Sequence, residues 1–175
     1  MIGLLPLVVL ACSNPDNTYT TAPGNYADEP TQALLAEWMA WRDISREELL
    51  RRLTSTESSI GHGFRYGHTS GLDLISVDSY CPAQFYLEGE KVVLIYVGSD
   101  EDLARLKPEE LAELFPPEAR LASREHTNFR HYVNAGAGIA WSATSDEVAL
   151  LELFHPTTVE QYKARFYEEP GPFIK

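Results

Sequence analysis

Apolar positions recur along this chain at two spacings, and the change from one to the other marks its elements. Over residues 31–42, Leu34, Trp38 and Trp41 fall on one face with Leu35 and Met39 beside them, the i, i+3, i+4 pattern of an amphipathic helix. The two tryptophans suit stacking on a ligand, but at helical spacing among leucines they read as core. A second helix starts at Ser45, whose hydroxyl is placed to accept from the Glu48 amide while the Glu48 side chain reaches back, a capping box. It runs through Leu49, Leu50 and Leu53, with Arg46, Arg51 and Arg52 on its polar side. The spacing then drops to two. Residues 72–79 alternate as a mixed strand, and residues 84–87 and 91–97 pair as a hairpin across Glu88-Gly89-Glu90. The unbroken apolar run from Val92 to Val97 marks a central strand.

The pattern then starts again. Glu109-Glu110-Leu111-Ala112 echoes Glu47-Glu48-Leu49-Leu50, with Pro108 suited to a first helical turn and Pro116-Pro117 stopping the helix. Extended segments follow at 120–124 and 130–133. A second hairpin joins 139–142 to 148–154 across Thr144-Ser145-Asp146. A further capping box at Thr157 and Glu160 opens a last helix, with Val159, Tyr162 and Phe166 on its apolar face. The expected fold is therefore α+β: tandem helix-plus-antiparallel-sheet units over 31–98 and 99–155, followed by a C-terminal helix at 157–167. Chance likeness between two amphipathic helices and two apolar strands is the rival explanation of the echo.

The N-terminus follows neither spacing. Residues 1–11 are uncharged and mostly apolar and end in Val9-Leu10-Ala11-Cys12, followed by Ser13-Asn14-Pro15. A membrane-spanning helix takes about 20 apolar residues. This run offers roughly half of that and contains Pro6, which fits the about 7–15 residues of a secretory signal. The segment resembles a bacterial lipoprotein signal with its lipobox. That resemblance implies removal of residues 1–11 and acylation of Cys12 (palmitate among the chains) as the mature N-terminus. Each buried CH₂ then adds about 0.8 kcal/mol of anchoring. Ser13 resembles the pattern of lipoproteins sent to the outer membrane. The implied location is the bacterial cell envelope, lipid-anchored through Cys12. No Lys or Arg precedes the run, and the alternative is a cytoplasmic protein whose apolar N-terminus packs on its own core. Residues 12–30, rich in Asn, Asp, Thr, Pro and Gly, read as a tether able to reach about 60 Å when extended.

Composition narrows the classes. The 175 residues are 44% hydrophobic and 11% aromatic, enough for one domain or two small units over 31–175. A formal net charge of −12 excludes a nucleic-acid partner, whose phosphates need a basic footprint, and direct adsorption to anionic headgroups. Cys12 and Cys81 are the two cysteines. With Cys12 acylated, Cys81 has no intramolecular partner, and beside Pro82 in an apolar stretch it reads as a buried inert thiol rather than a reactive one.

Motifs that carry chemistry are sparse. The best metal-like cluster is His62-Gly63-Phe64-Arg65-Tyr66-Gly67-His68 with Asp73 downstream, inside a Gly- and polar-rich loop over 55–71. Its two histidines lack a diagnostic ligand spacing, and a solvated loop is the plainer reading. Arg124-Glu125-His126 with Arg130-His131 suits an anion, since guanidinium forks match carboxylate or phosphate; exposed strand edges bearing charge explain it equally. Asp100-Glu101-Asp102 has no calcium-loop spacing. No catalytic residue and no cofactor is assigned.

Lipobox, spacer, a helix pair with a Ser-x-x-Glu-Leu start and then an antiparallel meander together resemble the small BamE (SmpA/OmlA) lipoproteins. Tandem copies of that unit resemble the β-lactamase-inhibitor-protein fold. The resemblance covers roughly residues 41–97 and 107–154 and is one of element order. It implies a non-enzymatic sheet platform that binds protein, here an envelope protein. The alternative is a small periplasmic enzyme or ligand-binding domain using the loop between Gly61 and Gly71, with Trp38, Trp41 or Tyr66.

Overall fold

The computed structural model describes residues 31–53, 60–62, 71–77, 84–98, 103–125 and 128–171, of which 60–62 are described as backbone only. Residues 1–30, where a signal, an acylated Cys12 and a tether are expected, together with Tyr66, His68, Cys81, the acidic run at 100–102 and His126, lie outside the described residues.

The fold is α+β. Among the described residues four helices, α1 (Thr31–Met39), α2 (Arg46–Leu53), α3 (Pro108–Leu114) and α4 (Val159–Arg165), flank eight strands. In chain order these are β1 (Ile60–His62), β2 (Asp73–Val77), β3 (Gln84–Glu88), β4 (Lys91–Val97), β5 (Ala119–Ala122), β6 (Arg130–Asn134), β7 (Ile139–Ala143) and β8 (Val148–Phe154). They form one antiparallel sheet in the order β1-β2-β3-β4-β8-β7-β6-β5. Two four-strand meanders thus meet through their last strands, with Leu94 opposite Phe154 and Tyr96 opposite Glu152.

That junction explains the apolar runs of β4 and β8. β4 and β8 lie at the centre and are covered on both faces, so neither face needs polar residues. On one face α1, α2 and α3 bring Leu34, Leu35, Trp38, Leu49, Leu53 and Leu111 against Ile75, Phe85, Ile95, Trp141 and Leu153. The Trp41 and Phe85 rings meet there at 5.4 Å, and Tyr132 stacks on Trp141 at 5.5 Å. Full burial of each such side chain contributes about 1.5–3 kcal/mol. On the other face α4 and the residue that caps it set Tyr162 and Phe166 over Leu94, Val133, Ala140 and Phe154.

Local chemistry fixes where elements stop and join. Gly89 turns the first hairpin at φ +58. Asp43 takes the left-handed conformation (φ 65) between α1 and α2, and its carboxylate meets His155 Nδ1 at 2.8 Å. Arg42 clips the end of α1 to the far hairpin: its Nη1 donates to the carbonyls of Ala137 (2.9 Å) and Phe154 (3.0 Å). The chain approaches closely there, since a Cβ on Gly138 (φ +73) would stand 2.1 Å from the Phe154 carbonyl oxygen.

Three local readings of the sequence are corrected. Ile60–His62 is not loop but an edge strand, pairing Ile60 with Val77 and His62 with Ile75; three residues are too few to show a period. The box at Ser45 is half formed: Glu48 N–H donates to Ser45 Oγ at 3.1 Å, but the Glu48 carboxylate turns forward to Arg51 and Arg52. Two forked guanidiniums one turn away outcompete one amide, and they hold that carboxyl at about 2, well below its usual value. The last box shifts one residue, from Thr157 and Glu160 to Thr158 and Gln161, where both reciprocal bonds form at 3.2 Å.

Candidate functional site

Strand alternation places His131 of β6, Ser142 of β7 and Glu152 of β8 on the face covered by α4. His131 and Ser142 are directly opposed across the ladder, and the register of β7 on β8 shifts just after Ser142. Ser123 follows β5, and Tyr162 reaches down from the middle of α4. All five are buried, Ser142 and Tyr162 completely and Glu152 to 1% exposure.

The contacts among them have a single direction. Glu152 as a carboxylate only accepts, so the Tyr162 hydroxyl donates to it. That hydroxyl then accepts from His131 Nε2–H at 2.6 Å. A neutral imidazole carries one N–H, so Nδ1 accepts from Ser142 Oγ–H at 2.9 Å. Ser142 in turn accepts from Ser123 Oγ–H at 2.9 Å, and Ser123 accepts from the Glu125 backbone N–H at 3.2 Å. Each member except Glu152, the terminal acceptor, donates once along this line. Among the described residues, no buried side-chain polar atom lacks a partner.

Burial sets the electrostatics. Desolvation, with Arg124 adding positive charge nearby, drives His131 down to about 3, so it is neutral at physiological pH. The 3.9 Å approach of its Nε2 to Glu152 is therefore not an ion pair; the Tyr162 hydroxyl bonds to both. Burial also pushes the Tyr96 hydroxyl up to about 12, helped by Glu125 and Glu152, and raises Tyr86 further. Arg124 opposes both shifts.

Over this cluster lies a small cleft, with about 10 Å³ of free space, lined by Ala122, Arg124, His131, Ser142, Glu152, Phe166 and Tyr167. That is room for about one water. The segment after α4 roofs it. Tyr167 stacks on His131 at 5.8 Å between centroids and donates its hydroxyl to the Ala122 carbonyl at 3.1 Å. Arg124 Nε donates to the Glu168 carbonyl at 3.3 Å, and its Nη1 lies 3.9 Å from the Glu168 carboxylate.

A serine bonded to an imidazole has the outline of an activated nucleophile. Two features work against that use. Ser142 is sealed from solvent, and a histidine driven to about 3 is too weakly basic to take a proton near neutrality. As it stands, the arrangement holds α4 on the sheet and fixes a polar floor beneath the cleft.

The residues singled out in the sequence are dispersed. Trp38 and Trp41 are core, and Trp41 carries Arg52 over its ring at 5.1 Å. Asp73 is exposed and ion-paired to Arg46, away from the cleft. His62 contributes backbone to β1. Among the described residues no group of three or more His, Cys, Asp or Glu is placed to hold a metal. Arg130 is exposed and donates to the Phe129 carbonyl. His131 corrects the reading of that stretch as an exposed charged edge, because β6 alternates and turns it inward. The cluster was missed as a unit, yet it left one trace: Glu152 is the lone charge in Val148-Ala149-Leu150-Leu151-Glu152-Leu153-Phe154, in phase with buried Leu150 and Phe154. No protein-family model matches the chain, and neither does any curated protein or solved structure.

Proposed function

We propose that this chain is a lipid-anchored protein of the bacterial envelope whose folded part is a non-enzymatic module for binding another envelope protein. The anchor is Cys12, acylated after removal of residues 1–11, with residues 12–30 as tether and the outer membrane as destination. Supporting the binding role is one observation above the others: the polar cluster around His131 is closed upon itself, with its serine sealed and its imidazole held neutral. Such a cluster stiffens a platform and turns nothing over. The sheet order is consistent with tandem BamE-like or β-lactamase-inhibitor-like units over 31–98 and 99–155, since each half contributes one four-strand meander.

Two experiments test the reading. Cys12→Ser moves the protein from the membrane fraction to the soluble fraction; unchanged fractionation overturns the anchor. Crosslinking in intact envelopes followed by mass spectrometry recovers a specific protein partner. Recovery of none, together with turnover of a small molecule by the purified chain, overturns the binding role.

A further inference from the structure

Arg124, read in the sequence as suited to an anion, stands 3.9 Å from a carboxylate of the same chain, that of Glu168. Beyond Phe166, which is packed against Phe154 and Tyr162, the segment leaves the core and lies over the end of β5. Three groups of the folded body receive it. The His131 ring takes the Tyr167 ring, the Ala122 carbonyl takes the Tyr167 hydroxyl, and the Arg124 guanidinium takes the Glu168 carbonyl and carboxylate. These groups read a tyrosine followed by an acidic residue in the segment that leaves α4.

The seam is also weaker than the core around it. Glu168 is half-exposed, its carboxylate stands at the far limit of an ion pair, and the water-sized cleft remains beneath. Exposed pairs of this kind contribute about 0–1 kcal/mol. Detaching the segment after Phe166 leaves the α4 anchor, Tyr162 with Phe166, in place.

We propose that the Ala122–Arg124 end of β5, with the His131 ring behind it, is a docking site for a protein segment bearing an aromatic-acidic pair, and that Tyr167-Glu168 fills it in cis until such a segment displaces them. This rests on the protein-binding reading above and names the chemistry of its partner. A tethered occupant acts at an effective concentration in about the millimolar range, so an external segment competes poorly while the tail is intact.

The test uses a fluorescently labelled peptide, acetyl-Phe-Tyr-Glu-Glu-Pro-amide, copied from residues 166–170, with anisotropy as readout. The double variant Tyr167→Ala/Glu168→Ala is expected to bind it at least about tenfold more tightly than the unmodified chain. Adding Arg124→Ala to that variant is expected to remove the gain, as is replacing the first peptide Glu by Lys. Equal binding by the folded double variant and the unmodified chain overturns the proposal. So does a gain indifferent to Arg124 or to the Lys replacement. Should the double variant fail to fold, Glu168→Lys alone releases the acidic contact and answers the same question. A crosslinked envelope partner without any peptide gain removes this site and leaves the broader binding role standing.

Discussion

Replacing Tyr162 by Phe tests the buried cluster at its centre. The ring stays, and with it the stacking on Phe154 at 4.8 Å and the contact with Phe166. Only the hydroxyl is lost, the atom that donates to Glu152 and accepts from His131 Nε2–H. One of those bonds is charge-assisted, and removing the shared atom strands a donor on His131 in the interior. A bond to a buried charge contributes about 1.5–3 kcal/mol, and an unmade buried bond costs about 1–3 kcal/mol. Together these give an expected loss of about 2–4 kcal/mol, since the two terms overlap. With a mid-range urea slope of about 2 kcal/mol/M, the unfolding midpoint falls by about 1–2 M.

The assay is equilibrium urea unfolding read by tryptophan emission, because Trp38, Trp41 and Trp141 are all buried and shift together when the sheet opens. A double-mutant cycle with Glu152→Gln isolates the pair and is expected to show coupling of about 0.5–3 kcal/mol. A Tyr162→Phe loss within about 0.5 kcal/mol of zero, or strictly additive variants, would refute the claim that the hydroxyl, rather than the ring, locks α4 to the sheet.

Two further outcomes follow from the same geometry. His131 titrates near 6.5 in the unfolded chain but at about 3 when folded. Between those values the unfolded state binds the extra proton, so stability is complete above about pH 6.5 and falls with acid, by up to about 1.4 kcal/mol per pH unit. His131→Gln flattens that part of a melting-temperature profile; an unchanged slope removes the histidine from the explanation. Gly138→Ala combines positive φ with a Cβ 2.1 Å from the Phe154 carbonyl oxygen, whereas Gly89→Ala has positive φ and open space. The left-handed term is about 1–2 kcal/mol in both, so calorimetry should show Gly138→Ala as the larger loss by several degrees, and equal losses contradict the close approach.

What the sequence made legible follows how locally each feature is written. Helix α1 and strands β4 and β8 carry their burial in their own spacing, so Leu34, Trp38 and the Val92–Val97 run declared themselves. Edge strand β1 did not, because three residues at a sheet margin answer to Val77, Ser76 and Ile75 rather than to any period of their own. The polar cluster is the extreme of that kind. Its members are drawn from β5's end, β6, β7, β8 and α4, and the rule joining them is cross-strand register, which depends on turn lengths elsewhere. His131 is the case in point. Read along the chain, Arg130-His131 looks like a charged exposed edge. Read across the ladder, it faces Ser142 and lies under Tyr162. A polar side chain in phase with apolar neighbours on a central strand, as Glu152 is between Leu150 and Phe154, therefore signals a buried network before any partner is known. The partner search then begins one strand away, on the same face.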